Sequence, residues 1–157
     1  PQTGMAQAIP PNQFIPHSFW GQYRCTIDAD GYLLLPDDFP EADPFILTKG
    51  LDGCLLLAPQ GYFSSLREKV QALPFTDKLS RSFRRHLFAS AMNASPDQQR
   101  RIYLPDGLRR YANLADAAVV VGNDAYLEIW DASDWERTQL QVTEQIVQED
   151  GWRLEGI

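Results

Sequence analysis

Four short stretches in the first half of the chain predict β-strands: apolar and polar residues alternate in the first, and the others are largely apolar runs beside a turn or a proline. These stretches are 19–27, 32–35, 45–49 and 54–57. Farther along, Phe63, Leu66 and Val70 recur at helical spacing, so a helix is predicted over 59–73. A short helical turn is predicted at 37–40. The first half is therefore predicted to contain four strands followed by a helix.

The same order of patterns returns in the second half, after a connecting helix. That helix is predicted over 78–88, with a cap at Asp77 and with Leu79, Phe83 and Leu87 as its buried stripe. Four strands are then predicted, at 88–95, 101–104, 117–121 and 126–130. A short helix is predicted at 106–111, between the second and third of these strands. The second half thus repeats the predicted order of the first.

A last helix is predicted to end near residue 149. Either Asp131 or Ser133 caps it, and Ser133 with Glu136 would form a capping box. Its predicted buried residues are Trp135, Leu140, Val142 and Ile146.

An internal repeat relates the two halves. Asp28 to Pro36 matches Asp97 to Pro105 at an offset of 69, and Gly50 matches Gly122 at an offset of 72. A three-residue insertion between the two sets explains the change of offset. Two copies of about 50 residues each are too small to bury both faces of a sheet alone, so we expect them to pack on each other as a pseudo-twofold pair.

The repeat predicts how the chain is organised. The parts are a loose N-terminal tail over 1–18, a first repeat over 19–75, a linking helix over 76–87 and a second repeat with a C-terminal helix over 88–150. The tail is polar and interrupted by prolines, which is typical of a poorly ordered terminus. Met5 within it is a candidate for the natural start.

The charges are distributed unevenly along the chain. The net charge is −7, yet residues 78–110 hold 8 basic and 2 acidic side chains, while the segments before and after carry −5 and −8. A concentrated positive band is what a nucleic-acid-binding surface requires. A solvated helix face often carries such a run without binding anything, so the charge alone leaves both interpretations open.

The sequence does not indicate an enzyme or a metal protein. Cys25 and Cys54 have no Cys-x-x-Cys spacing and are expected to be buried thiols, and neither has a plausible histidine partner. His17 and His86 stand too far from other ligands in sequence to suggest zinc. No apolar run approaches the roughly 18 residues of a membrane span. We expect a cytoplasmic protein without catalytic activity, metal, cofactor, membrane contact or small-molecule ligand.

Several motifs together resemble a known family. They are Ile27-Asp28-Ala29 with Gly31, the block Leu47-Thr48-Lys49-Gly50-Leu51-Asp52-Gly53-Cys54-Leu55, Asp97 with Arg101, and Ile129-Trp130-Asp131. In these residues the chain resembles the MraZ family, which is related to AbrB-type transition-state regulators, and the resemblance covers about 19–147. It implies an α+β fold, mainly β with helices. In that fold two tandem AbrB-like swapped-hairpin repeats form a pseudo-twofold double-split β-barrel.

The resemblance also implies a function. Members of the family are bacterial transcription factors that bind short direct repeats in the promoter of the division and cell-wall gene cluster. The implied partners are double-stranded DNA and further copies of the chain, assembled in a closed ring. The implied location is the cytoplasm, in association with the nucleoid.

The family's signature is Asp-x-x-x-Arg in each repeat. The second repeat retains it as Asp97 and Arg101, whereas the first reads Asp28 and Tyr32, with Gly31 in the turn between them. The candidate DNA contacts are Arg100, Arg101, Arg24, Lys49, Arg84 and Arg85.

The candidate cations are expected to differ in role. Arg100, at the turn position of Gly31, is the expected free cation, while Arg101 either pairs with Asp97 or meets DNA. Arg84 and Arg85, on the linking helix, either make subunit contacts or are only solvated, or they contact DNA directly.

A second function stays open on the sequence. Tyr32 replaces the arginine of the first repeat, and Asp30 stands where the family usually has lysine. Together with the two acidic flanks, these changes are consistent with a ring-forming relative that has lost or altered DNA binding and acts through protein contacts.

Overall fold

The structure is a computed structural model that describes residues 18–37, 44–149 and 154. The fold is α+β, as predicted, and the described part contains eight strands and four helices. The strands are β1 (Gln22–Thr26), β2 (Tyr32–Leu34), β3 (Phe45–Lys49), β4 (Leu55–Pro59), β5 (Met92–Asn93), β6 (Arg101–Tyr103), β7 (Ala117–Gly122) and β8 (Leu127–Trp130). The helices are α1 (Gln60–Gln71), α2 (Lys78–Phe88), α3 (Asp106–Tyr111) and α4 (Ala132–Glu149).

The described strands form two antiparallel sheets. Six of them form one sheet in the order β1-β7-β8-β4-β3-β5, and β2 and β6 form a separate two-stranded ribbon. In the tight β3–β4 hairpin, Asp52 and Gly53 both take positive φ, at 64° and 84°. Glycine adopts this conformation without steric cost, which is why the sequence there predicted a hairpin.

The large sheet is symmetric about its centre: exchanging each strand of one half of the chain with its counterpart in the other half reverses the strand order. The first strand of each half pairs with the third strand of the other half, as β1 with β7 and β5 with β3. At the centre, β4 pairs with β8 through Leu56 and Glu128, and β2 pairs with β6 through Leu33 and Ile102. Because these pairings cross between halves, neither half completes its sheet alone.

The two faces of the large sheet bury different layers. Side chains on a strand alternate between faces, so Leu55 and Leu57 join a large core with the inner residues of the ribbon, such as Leu33 and Ile102. The other face is covered by helices. There α1 and α2 pack on Leu56 and its neighbours, and α4 packs near Val119 and Val121. The ribbon and these helices therefore lie on opposite sides of the sheet.

The linking helix corrects one prediction. Asp77 caps α2 as expected, since its Oδ2 accepts hydrogen bonds from the Ser80 amide at 2.9 Å and the Ser80 hydroxyl at 2.7 Å. Leu79, however, is 76% exposed, so its placement in the buried stripe was wrong. The stripe that meets the sheet runs through Ser80, Phe83 and Leu87 at spacings of three and four, and this turns Leu79 outward.

Two predictions about the final helix, α4, were also wrong: its capping box and its buried residues. Asp131 provides the cap through the Asp134 amide at 3.0 Å, so the predicted Ser133–Glu136 capping box was wrong. Three residues predicted to be buried are largely exposed, namely Leu140 at 63%, Val142 at 49% and Ile146 at 46%. Only the first turns pack on the sheet, around Trp135, and the rest of α4 extends past it.

One predicted strand is shorter in the structure, and two predicted segments lie almost wholly outside the described residues. The strand predicted over 88–95 is reduced to Met92–Asn93, because α2 includes Phe88 and a turn follows it, in which the Ala91 amide donates to the Phe88 carbonyl at 3.2 Å. The helical turn at 37–40 and the tail over 1–18 fall almost wholly outside the described residues.

Candidate nucleic-acid interface

The turn before β2 is held by an aspartate. The Asp28 carboxylate accepts hydrogen bonds from the amides of Asp30 at 2.9 Å and Tyr32 at 3.0 Å. Backbone bonds close the same turn between Asp28 and Tyr32 at 2.9 Å and between Gly31 and Asp28 at 3.0 Å. Gly31 takes a φ of 89°, a conformation that glycine adopts most readily. An Asp at the first position and Gly at the fourth therefore suit the conformation of this turn.

The turn before β6 repeats this arrangement bond for bond. The Asp97 carboxylate accepts from the amides of Gln99 at 2.8 Å and Arg101 at 2.9 Å, and backbone bonds join Asp97 with Arg101 and with Arg100. These bonds lower the pKa of the Asp97 carboxyl, the amide of Arg101 contributing most. Arg100 takes the place of Gly31 at a φ of 61°. The repeat therefore extends to the hydrogen bonds of its turns.

Arg101 is held in position from three sides. Its Nε donates to Asp97 Oδ2 at 3.0 Å, which confirms the pair proposed from the sequence. Its Nη1 lies 3.9 Å from Asp28 Oδ2, and its guanidinium stacks over the Tyr32 ring at 4.7 Å from the centroid. The side chain is still 36% exposed. Arg101 therefore has a fixed guanidinium that remains open to solvent.

The ribbon presents one face to solvent. Leu33 and Ile102 point into the core, so the alternating residues Tyr32, Leu34, Arg101 and Tyr103 lie on the outer side. We call this set the ribbon face. The rings of Tyr32 and Tyr103 are 5.3 Å apart, and Leu34 and Tyr103 are exposed by 48% and 43%. A two-stranded ribbon is narrow enough to enter the DNA major groove.

Arg100 does not match its predicted role as the free cation. Its Nη1 donates to the carbonyl of Pro36 at 3.1 Å, and the side chain is only partly exposed. The cause is the turn, because Arg100 lies at a left-handed position rather than on the strand. Its side chain therefore packs back onto the first half of the chain.

Arg109 is a neighbour that the sequence did not single out. Its Nε donates to the carbonyl of Leu104 at 2.9 Å, and its Cζ would lie 3.1 Å from a Cβ placed on Gly31. The guanidinium of α3 therefore lies against the Asp28 turn. The Arg109-Arg110 pair within the positive band was an available signal.

The remaining candidates lie on other elements. Arg24 is on the edge strand β1 and lines a polar cavity of about 280 Å³ together with Glu136. The ammonium of Lys49 lies 5.2 Å from the centre of the Tyr111 ring.

The two arginines of α2 have different surroundings. Arg84 donates through Nη2 to the carbonyls of Gln71 at 3.1 Å and Leu73 at 2.7 Å, and thereby ties α2 to the end of α1. Arg85 is exposed. The structure therefore brings Arg100, Arg101 and Arg109 to the paired turns, and holds Arg84 in a structural brace.

None of the helices in the described ranges is long and apolar enough to cross a membrane.

Comparison with known proteins connects this site to a family. The second half, residues 87–150, matches a family model described as "MraZ protein, putative antitoxin-like". A protein of Acetivibrio thermocellus named transcriptional regulator MraZ is 42% identical over 120 residues, which cover 75% of this chain and 84% of that protein. Proteins of the same name from Desulforamulus reducens and Moorella thermoacetica are 42% identical over 125 residues and 40% identical over 129 residues. These two alignments cover 78% and 81% of this chain and 88% and 90% of those proteins.

Proposed function

The chain belongs to the MraZ family, and from this premise we propose that it is a sequence-specific DNA-binding transcriptional regulator. Its proposed target is the promoter of the division and cell-wall gene cluster. Relatives from three bacteria that bear the name transcriptional regulator MraZ support this proposal. That name also argues against an enzymatic role.

The observation that carries the proposal is the fixed orientation of the Arg101 side chain. Asp97 anchors its Nε at 3.0 Å, which leaves the outer nitrogens of the guanidinium as a planar fork on the ribbon face. Such a fork matches the O6 and N7 acceptors of guanine in the major groove. Because the side chain is already oriented, less conformational entropy is lost when it binds.

Neighbouring groups would then position the ribbon on the duplex. Tyr32 and Tyr103 offer hydroxyl groups, and Leu34 offers an apolar surface suited to a thymine methyl group. Arg109 and Arg110 supply cations near the turns, although both lie within 4.0 Å of an Asp106 oxygen. Arg24, Lys49 and Arg85 remain proposed contacts farther along the surface, whereas the brace formed by Arg84 favours a structural role.

The proposed architecture follows the family. The repeats over 19–75 and 88–150, with the link over 76–87, would form two swapped hairpins of a double-split barrel. The pairing of β1 with β7 and of β3 with β5 supports this arrangement.

We further propose that several copies assemble into a ring in the cytoplasm, in association with the nucleoid. Apolar residues left exposed on α4, such as Leu140 and Val147 at 63% and 76%, provide surface for such contacts. A ring would raise avidity for repeated DNA sites by roughly 10²–10⁴ over that of one copy.

A salt-dependent mobility-shift experiment with DNA from upstream of the chain's own gene tests the function. The wild-type protein should prefer that DNA to a random duplex and should lose affinity as salt rises. Arg101→Ala should weaken specific binding by about tenfold or more, since one bidentate arginine contributes about 1–3 kcal/mol. Arg67→Ala, which removes an exposed arginine of α1, is the matched control.

A second candidate function rests on Tyr32, which leaves the ribbon face with one arginine instead of two. In this case the protein acts through protein contacts, with DNA binding lost or altered. Absence of any preference over random DNA at low salt, with Arg101→Ala indistinguishable from wild type, would reject the regulator and favour this candidate.

A further inference from the structure

A cavity of about 230 Å³ lies on the helical side of the sheet, opposite the ribbon. The β3–β4 hairpin, α1, α2 and the start of β8 enclose it. It is smaller than the pockets of about 300–1,000 Å³ that hold drug-sized ligands, so a small molecule is the appropriate size. The sheet separates this cavity from the ribbon face, although Lys49, one of the proposed DNA contacts, also lines it.

A carboxylate faces the cavity where the repeat has leucine in its other copy. Glu128 pairs directly with Leu56 at the centre of the sheet, and the two residues correspond to each other at the offset of 72. Directly opposite residues on antiparallel strands point to the same face. Glu128 therefore places a carboxylate beside Leu56 in this cavity, whose lining also includes Lys49, Asp52 and His86 near the β3–β4 hairpin.

The described side chains that donate hydrogen bonds to Glu128 are neutral, although Lys49 lines the same cavity. Its Oε1 accepts from Asn123 Nδ2 at 2.7 Å and from Trp130 Nε1 at 3.4 Å, and its Oε2 accepts from Cys54 Sγ at 3.3 Å. Among the described residues, no cation lies within ion-pair distance of this half-buried carboxylate. A charge taken partly out of water without a counter-ion is costly, and a bound cation would offset that cost.

Aromatic rings complete the site. Tyr62, Phe83 and Tyr126 line the same cavity, and the rings of Tyr62 and Tyr126 stack at 5.2 Å with an angle of 29° between them. Aromatic faces attract alkylammonium and guanidinium groups. The charge of Glu128 also acts on a neighbouring ring: burial first, and then this charge, raise the pKa of Tyr126.

We infer that this cavity binds a small organic cation, an ammonium or guanidinium group on a short apolar chain. The cationic group pairs with Glu128, and the chain lies among Tyr62, Phe83 and Tyr126. The negative charge of Glu128 disfavours an anion, and a neutral molecule gains a hydrogen bond from the carboxylate but no charge pair. The cation can be free in solution or can be the end of a lysine or arginine side chain of another copy of the protein.

Titration calorimetry on the full chain, paired with tryptophan fluorescence, tests the site. The probes are n-butylammonium and n-butylguanidinium, with n-butanol and butyrate as neutral and anionic controls of similar size. Trp130 donates to Glu128, so its emission should change as the cation binds. Both cations should bind saturably, and about tenfold or more tightly than either control, as expected when one desolvated charge pair is gained.

Three variants locate the binding. Glu128→Gln keeps a hydrogen-bond acceptor but removes the charge. It should lower the affinity for both cations to that for n-butanol. Phe83→Leu retains apolar volume without the ring, and should weaken them several-fold. Glu144→Gln removes the same charge from the exposed part of α4 and should leave binding unchanged. Equal affinity in Glu128→Gln and wild type, or equal affinity for butylammonium and butanol, would overturn the inference.

Light scattering distinguishes the two sources of the cation. If a side chain of another copy occupies the cavity, n-butylguanidinium and Glu128→Gln should each lower the mass of the assembly. If the natural ligand is a free molecule, the mass should stay constant while the calorimetric signal is present. Either result can occur whether or not the protein binds DNA, so failure here is distinct from failure of the proposed regulator.

Discussion

The Asp28 turn and the Asp97 turn share their hydrogen bonds but differ in the side chains they display. The fifth position is Tyr32 in one turn and Arg101 in the other, and the fourth is Gly31 in one and Arg100 in the other. The backbone conformation of the turn is thus common to both halves, whereas the arginine side chains are confined to the second turn. A duplicated unit can keep its fold while its two surfaces diverge, because the turn depends on Asp and on backbone bonds rather than on the fifth side chain.

The fold should depend equally on both halves, and the core of the ribbon provides the strongest test. Leu33 and Ile102 pair at its centre and are both completely buried. Leu33→Ala and Ile102→Ala should each lower the free energy of unfolding by about 2–5 kcal/mol, because each leaves a cavity. Urea denaturation measures both. If one variant were almost neutral and the other severe, the halves would not be equivalent in the fold.

The fourth position should respond differently in the two turns. Gly31→Ala should destabilise the protein by about 1–2 kcal/mol, because a side chain at a φ of 89° is strained. Arg100→Gly should change stability by less than about 0.5 kcal/mol. There the relief of left-handed strain, about 1 kcal/mol, is offset by the lost hydrogen bond to Pro36, also about 1 kcal/mol.

Thermal and urea unfolding of both variants provide the comparison. Tolerance of alanine at Gly31, or a large loss in Arg100→Gly, would show that the two turns are not held in the same way.

Restoring the missing cation should make the two halves more alike. In Tyr32→Arg we expect the new guanidinium to pair with Asp28, as Arg101 pairs with Asp97. Each additional phosphate contact should steepen the slope of log K against log salt by about 0.9. Tyr32→Phe is the control for loss of the hydroxyl. An unchanged slope, measured by fluorescence anisotropy on the upstream DNA, would mean that the first turn does not approach the backbone of the duplex.

The smallest expected effect is on pH dependence. Hydrogen bonds from the Arg101 amide and other donors lower the pKa of Asp97 in the folded state. Its stabilising contribution is therefore complete above the unfolded value of about 4 and is lost as pH falls through the lower folded value. Asp97→Asn, which can still accept hydrogen bonds, should remove this part of the acid-induced fall in melting temperature. A melting profile identical to wild type down to pH 3 would contradict the role of the charge.

Much of the local structure was predictable from sequence. The helix over 106–111, the hairpin around Gly53 and the Asp77 cap follow from short patterns whose cause is local, and the structure confirms them. Errors arose where tertiary contacts overrule local pattern. Leu79 and Leu140 have the spacing of buried residues, but both are exposed. Helix α2 turns Ser80, Phe83 and Leu87 toward the sheet instead of Leu79, and α4 extends beyond the edge of the sheet before Leu140.

The candidate site was predicted only in part. The Asp97–Arg101 pair follows from a four-residue spacing and was confirmed, whereas the bond from Arg100 to Pro36 joins residues 64 positions apart and has no local signal. The approach of Arg109 to Gly31 and the placement of Glu128 in a cavity likewise depend on how distant strands pair. No periodicity in the chain reports such contacts.

The sequence by itself determined the elements, their turns and their duplication, because strand alternation, helix spacing and the Asp turn each depend on a few neighbouring residues. The tertiary structure alone decided that the first strand of each half pairs with the other half, and that Arg101 is held by Asp97 while Arg100 bonds back to Pro36. It also decided that Glu128 shares a cavity with aromatic rings, with no cation within ion-pair distance in the part of the chain that the structure describes. Those outcomes depend on burial and on charges brought together from distant parts of the chain, and these interactions exist only once the chain has folded.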